Sequence, residues 1–205
     1  MHDQEIQQAL RHLRRRDPVM REVIRKAGPF TMRPRRNRFQ SLVYSILGQQ
    51  ISGKAAAAIR GRLVDYLKPE QISPQTIARL TPETLRSLGI SSQKSNYLLD
   101  LAERVASGQI QLNRMARMPD EEVIAKLIQV KGIGVWTAQM FLIFSLGRPD
   151  VFPHDDLGVR AAIRNLYGLG DLPTKEISHQ IAAPWRPYAT VASWYCWRSL
   201  EFPPL

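Results

Sequence analysis

Residues 130 to 138, Val130-Lys131-Gly132-Ile133-Gly134-Val135-Trp136-Thr137-Ala138, carry the strongest chemical signal in the chain. Two glycines around one apolar residue predict a tight hairpin. It joins a helix carrying Val123, Ile124 and Leu127 to one carrying Met140, Phe141 and Phe144. Gly132 and Gly134 let backbone come close to a ligand, and the first N–H groups of the following helix have no intrahelical acceptor. Such a helix start grips phosphate oxygens, and Lys131 stands beside it. A G-x-G tripeptide alone does no more than join packed helices; the basic character of the chain points to the grip. Further on, Asp150-Val151-Phe152-Pro153-His154-Asp155-Asp156-Leu157-Gly158-Val159-Arg160 is an irregular stretch running into a helix. One of Asp155 and Asp156 caps that helix, and the plainest reading gives both no other task. His154 reads as a solvent-exposed residue or a local hydrogen-bond donor.

A third stretch, Gly48-Gln49-Gln50-Ile51-Ser52-Gly53-Lys54-Ala55, fits the G-x-x-x-x-G-K pattern of a triphosphate-binding loop. Ala55 lacks the hydroxyl that would hold Mg²⁺, and the preceding residues have helical period where that loop follows a strand. A corner between two helices explains the glycines better, with Ser52 capping the second.

The elements that must position these residues are helices. Phe39, Leu42, Val43, Ile46 and Leu47 recur at the spacing of an amphipathic stripe, as do Leu98, Leu101, Ala102 and Val105, and Tyr188, Val191, Ala192 and Tyr195. Ser73-Pro74 and Thr81-Pro82 each predict a helix start, and Gly89 and Gly108 predict stops. Sustained period-2 alternation is lacking, so the expectation is an all-α protein of nine to eleven short helices. Pro149 to Pro153 marks a break, expected to lie in a cleft between two helical lobes.

Composition bounds the partner. The chain has 205 residues, 44% of them apolar, enough for one compact unit of two lobes. Against 29 Lys+Arg stand 18 Asp+Glu, a net charge of +11, which favours a polyanion such as nucleic acid. Arginines crowd at Arg11 with Arg14 to Arg16, and at Arg33, Arg35, Arg36 and Arg38, runs that commonly decorate a solvated face. A single cysteine, Cys196, excludes an internal disulfide, a zinc cage of cysteines and a four-cysteine iron–sulfur cluster. The apolar run of a secretion signal or membrane span is missing, so a non-membrane protein of a reducing compartment is expected.

Lys131 to Ala138 followed by Val151-Phe152-Pro153-His154-Asp155-Asp156-Leu157-Gly158-Val159 resembles the helix-hairpin-helix DNA glycosylases, in particular the DNA-3-methyladenine glycosylase II branch. Trp136 and Asp156 stand 20 residues apart, the spacing of that branch. The resemblance runs from about Phe39 to Tyr195 and includes Leu47 to Ser52 and Ser92 to Leu98. It implies two helical lobes around an active-site cleft, with Asp156 as catalytic carboxylate and Trp136, Met140 and Trp194 lining the base pocket. Met140 falls where related enzymes have an aromatic residue. Some of the remaining C-terminal aromatics, Trp185, Tyr188, Tyr195 and Trp197, are expected to be core. Lys131, Gly132, Ile133 and Gly134 would hold the DNA backbone. Gln50 matches the residue wedged into the gap left by a flipped nucleotide, with Ile51 able to share that role.

The activity implied is excision of alkylated purines of the 3-methyladenine and 7-methylguanine type, leaving an abasic site for base excision repair. Strand-nicking relatives carry a Schiff-base lysine where this chain has Trp136, which implies a monofunctional enzyme. Duplex DNA with alkylated bases is the implied partner, to a monomer in the bacterial cytoplasm at the nucleoid, or in a nucleus. No cofactor and no side-chain metal ligand is expected, although a monovalent cation on hairpin carbonyls is among the family's implications. Too few residues precede Phe39 for the N-terminal β domain of some relatives. Two alternatives stay open: a non-catalytic hairpin module that binds DNA, and a glycosylase for oxidised or deaminated bases.

Overall fold

The computed structural model describes residues 1–202, and among these every regular element is helical. Twelve α-helices follow one another: α1 (Asp3–Arg16), α2 (Pro18–Ala27), α3 (Arg38–Gly48), α4 (Gly53–Leu67), α5 (Pro74–Ala78), α6 (Pro82–Ser87), α7 (Ser92–Ala106), α8 (Asp120–Leu127), α9 (Val135–Phe141), α10 (Leu157–Leu166), α11 (Lys175–Ala182) and α12 (Ala189–Ser199). Two short 3-10 turns and a π segment, Leu142–Leu146, complete the regular elements among the described residues. The count exceeds the nine to eleven expected because short proline-led and serine-capped segments stand as separate helices. At Asp17-Pro18, for example, the Asp17 side chain accepts from Met20 N and the proline starts a new first turn.

The expected caps are present. Ser73 and Thr76 form a reciprocal capping box at the head of α5, Thr81 caps α6, and Ser52 accepts from Ala55 N at the head of α4. That last cap gives the G-x-x-x-x-G-K lookalike the geometry of a helix corner.

The chain divides into two units, Met1–Pro34 with Gly147–Leu205, and Arg35–Leu146. The expected break at Pro149 to Pro153 lies just past this division, which falls between Leu146, the last residue of the π segment, and Gly147. In the first unit α12 packs against α1, α2 and α10. Its core includes Leu13, Met20, Ile24, Trp185 and Tyr195, all fully buried or nearly so. A buried carboxylate ties the unit together: Asp17 accepts from Met20 N, from Trp185 Nε1 at 2.8 Å and from the Tyr167 hydroxyl. In the second unit α3 packs on α4, α7 and α9, and α7 on α5 and α6. Phe39, Leu42, Val43, Ile46 and Leu47 are all buried there, as their spacing predicts.

Candidate active site

The hairpin belongs to the second unit and connects α8 to α9. Gly132 has φ +78, a left-handed conformation, and a Cβ on it would lie 2.0 Å from Tyr97 Cδ2. The backbone conformation and the Tyr97 ring on α7 each require glycine here. Gly134 differs: it is the N-cap of α9 with φ −96, and a Cβ would meet nothing within 4 Å. Ile133 between them is buried, and its N–H donates to Val130 O, so within the hairpin its part is to anchor. The outward-facing positions are Lys131 and Gly134. Asp100 on α7 fixes the approach, accepting from Lys131 N at 2.9 Å and from Arg104 Nε at 3.0 Å on one oxygen.

Two residues with no role in the sequence reading tie the α3–α4 corner to this hairpin. Gln49 Nε2 donates to Gly132 O at 2.9 Å, and Lys94 Nζ donates to Leu47 O and Gln49 O at 2.9 and 2.7 Å. Lys94 thus places its positive charge on the last carbonyls of α3, where the helix dipole is negative. Partial burial holds its amine below the usual lysine range. Both lie in stretches that carry the family resemblance, Leu47 to Ser52 and Ser92 to Leu98, and that was the available signal. The corner they hold presents Gln50 and Ile51 outward. Gln50 has φ +55, the one positive φ outside glycine among the described residues. That is a sparsely populated conformation and costs of order 1–3 kcal/mol.

Trp136 stands in the first turn of α9 and is 37% exposed, which excludes a mainly core role. Met140, one turn later on the same face, is buried.

The first unit holds the carboxylate. Asp156 is the aspartate that caps α10: its Oδ1 accepts from Val159 N at 2.9 Å, and the residue is 9% exposed. The same Oδ1 accepts from Trp197 Nε1 at 2.8 Å. Asp155 instead points outward, paired with His154 at 3.2 Å. His154 is not solvent-exposed: its side chain is 14% exposed and its ring lies 5.0 Å from that of His179, so of the two readings the local partner holds. The strap leading to Asp156 is bonded to the start of α12. Val151 N donates to Thr190 Oγ1, Thr190 N to Pro149 O, and Ala189 N to Asp150 Oδ1.

The C-terminal aromatics sort by this geometry. Trp185 and Tyr195 are core, and Tyr195 also donates to Gly28 O. Trp194 is half-buried, edge-on to Phe30 and Tyr195 with centroids 4.8 Å away in each case, and the Arg198 guanidinium lies 5.8 Å from its ring. Trp197, grouped with the core candidates in the sequence, is the hydrogen-bond partner of Asp156. Only the cluster of aromatics hinted at it, since 41 residues separate the two. Arg11 and Arg14 to Arg16 lie exposed along α1 or at its end. Arg38 is structural, donating to Leu112 O and Asn113.

A family model described as "HhH-GPD superfamily base excision DNA repair protein" matches residues 43–187. DNA-3-methyladenine glycosylase 1 of Schizosaccharomyces pombe is 35% identical over 195 residues, covering 92% of this chain and 85% of that protein. The Bacillus subtilis protein YfjP is 41% identical over 169 residues, covering 80% of this chain, which spans only 59% of YfjP. A structure of the S. pombe 3-methyladenine DNA glycosylase (Mag1) in complex with abasic DNA superposes with a TM-score of 0.86 at 34% identity, covering 95% of this chain and 97% of that one.

Proposed function

Because the chain belongs to the HhH-GPD superfamily of base excision DNA repair proteins, we propose that it is a monofunctional DNA glycosylase that excises alkylated purines and leaves an abasic site. The observation that carries this reading is Asp156, a buried carboxylate held by two N–H donors, in a chain similar over nearly its whole length to a DNA-3-methyladenine glycosylase.

Breaking the bond between C1′ and the purine nitrogen leaves positive charge on the sugar. A fixed carboxylate stabilises that oxocarbenium-like transition state. A purine methylated at N3 or N7 is already cationic, so it takes the bonding electrons and departs neutral without a general acid. Water then adds to C1′ and loses its proton to solvent. Trp136 offers an exposed indole face, the best aromatic surface for a cationic base, with Met140 and Trp194 as further candidates for contact with the base. Indole forms no imine, so the lysine route to strand cleavage is closed at this position.

Lys131 and Gly134 hold the DNA backbone through phosphate contacts that carry no sequence information. Gln50, with Ile51 beside it, fills the gap left by the flipped nucleotide; the strained backbone at Gln50 supports a tip held ready for insertion. Two hairpin carbonyls are already engaged by protein donors, Gly132 O by Gln49 and Val130 O by Ile133. Each of these oxygens keeps a second lone pair, and a monovalent cation, where the family holds one, would sit on such hairpin carbonyls. The protein acts as a monomer on duplex DNA, in the bacterial cytoplasm or a nucleus.

The test is to profile the bases released from methylated DNA. Free 3-methyladenine or 7-methylguanine should appear, strand breaks should follow only after alkali, and borohydride should trap no covalent adduct. DNA binding without base release would favour a non-catalytic module. Release confined to oxidised or deaminated bases would reassign the substrate.

A further inference from the structure

We infer that Trp197 orients the Asp156 carboxylate, a positioning role that rests on the reading of Asp156 above. A helix cap needs only the Val159 N–H, and that bond alone leaves the carboxylate plane poorly fixed, because the terminal torsion of aspartate is broad and two-fold. The indole N–H supplies a second donor to the same Oδ1, from α12 where Val159 sits in the first turn of α10. Two donors from separate elements set both the position of Oδ1 and the plane of the group. Bonds of this charge-assisted kind are also the stronger ones. An electrostatic catalyst gains most when its charge needs no reorganisation as the transition state forms, so the orientation bears directly on rate.

Gly158 belongs to the same device. Its φ lies outside the left-handed region, so its backbone does not require glycine, yet a Cβ there would lie 3.0 Å from Trp197 Cδ1 and 3.1 Å from Asp156 Oδ1. The requirement is steric: the first turn of α10 must be bare for the indole to reach across it. A methyl at this position displaces the donor, the acceptor or both.

The experiment compares Trp197→Phe, Gly158→Ala and Asp156→Asn in the full chain by base release from methylated duplex, substrate affinity and thermal melting. Trp197→Phe keeps an aromatic ring and removes the donor, so kcat should fall about tenfold, the scale of one hydrogen bond to a charged group, while KM and Tm change little. Gly158→Ala should lower kcat in the same way with Trp197 still present. In ¹⁵N-labelled protein the Trp197 indole N–H resonance should move upfield in Asp156→Asn, a change that simple packing of the ring would not produce. An inactive Asp156→Asn beside an unimpaired kcat in Trp197→Phe overturns the positioning role alone. Wild-type release by Asp156→Asn overturns the reading of Asp156 and this inference together. Should Trp197→Phe fail to fold, an unchanged kcat in Gly158→Ala overturns the role instead.

Discussion

Gly132 and Gly134 stand two residues apart in the hairpin, and a methyl group added to each should have opposite consequences. At Gly132 alanine must adopt φ +78, which costs an L-residue roughly 1–2 kcal/mol, and its Cβ would enter the Tyr97 ring at 2.0 Å. Overpacking of that kind adds about 1–3 kcal/mol, so Gly132→Ala should destabilise the fold by about 2–5 kcal/mol. At Gly134 the backbone suits alanine and the Cβ meets nothing, so only a weaker cap opposes the gain from a less flexible unfolded chain. These terms are each about 1 kcal/mol or less, and the melting temperature should barely move. What the methyl does block is close approach of a phosphate to the start of α9. Losing one charge-assisted hydrogen bond there, roughly 1.5–3 kcal/mol, corresponds to a ten- to hundredfold weaker complex. Fluorescence anisotropy on several undamaged duplexes across a salt series, beside thermal melts, measures both. All sequences should weaken alike in Gly134→Ala, since phosphate contacts do not read bases. Unchanged affinity in a folded Gly134→Ala protein would refute the phosphate grip and leave the hairpin as a connector of two helices.

Asp156→Asn keeps an oxygen for Val159 N and Trp197 Nε1 but removes the charge, so base release should fall on the order of a hundredfold or more with duplex binding retained, while Asp155→Asn stays near wild type; the converse result would show the wrong aspartate had been chosen. Trp136→Ala should fold, because more than a third of the residue is exposed, and should slow release of cationic 7-methylguanine by roughly 0.5–2 kcal/mol; equal slowing on a neutral lesion would contradict the role of charge. Partial burial, then the neighbouring His154, Lys175 and Arg186, hold the His179 imidazole below its ordinary range. Its unfolded form therefore binds protons more readily, and its contribution to stability is present above the ordinary histidine range and lost as pH falls through it toward the folded value. Melts between pH 7.5 and 5.5 should show that decline, and His179→Gln should lessen it; an identical slope in the variant would count against His179 as the source.

Local signals fixed the helices in advance. Hydroxyls before prolines became caps at Ser73 and Thr81, and the stripe from Phe39 to Leu47 went inside, because period and capping act over a few residues and are written in consecutive types. The glycines of the hairpin and the aspartate pair were equally visible, being rare types at short spacing. Which of Asp155 and Asp156 caps the helix was not, since either could on local grounds; the resemblance singled out Asp156, and the fold gives that residue the cap bond from Val159 N and a second donor, Trp197 Nε1, 41 residues further on and on another helix. The different demands on Gly132 and Gly134 also escaped the sequence: one depends on the Tyr97 ring, and the other on open space. Gln49 and Lys94 carried no chemical signature, because a bond from a side chain to a distant carbonyl leaves no periodicity to read. The sequence by itself determined helix positions and the residue types able to grip phosphate or stabilise a cation; tertiary packing decided which of them are fixed, buried and paired, because those properties come from neighbours far away along the chain.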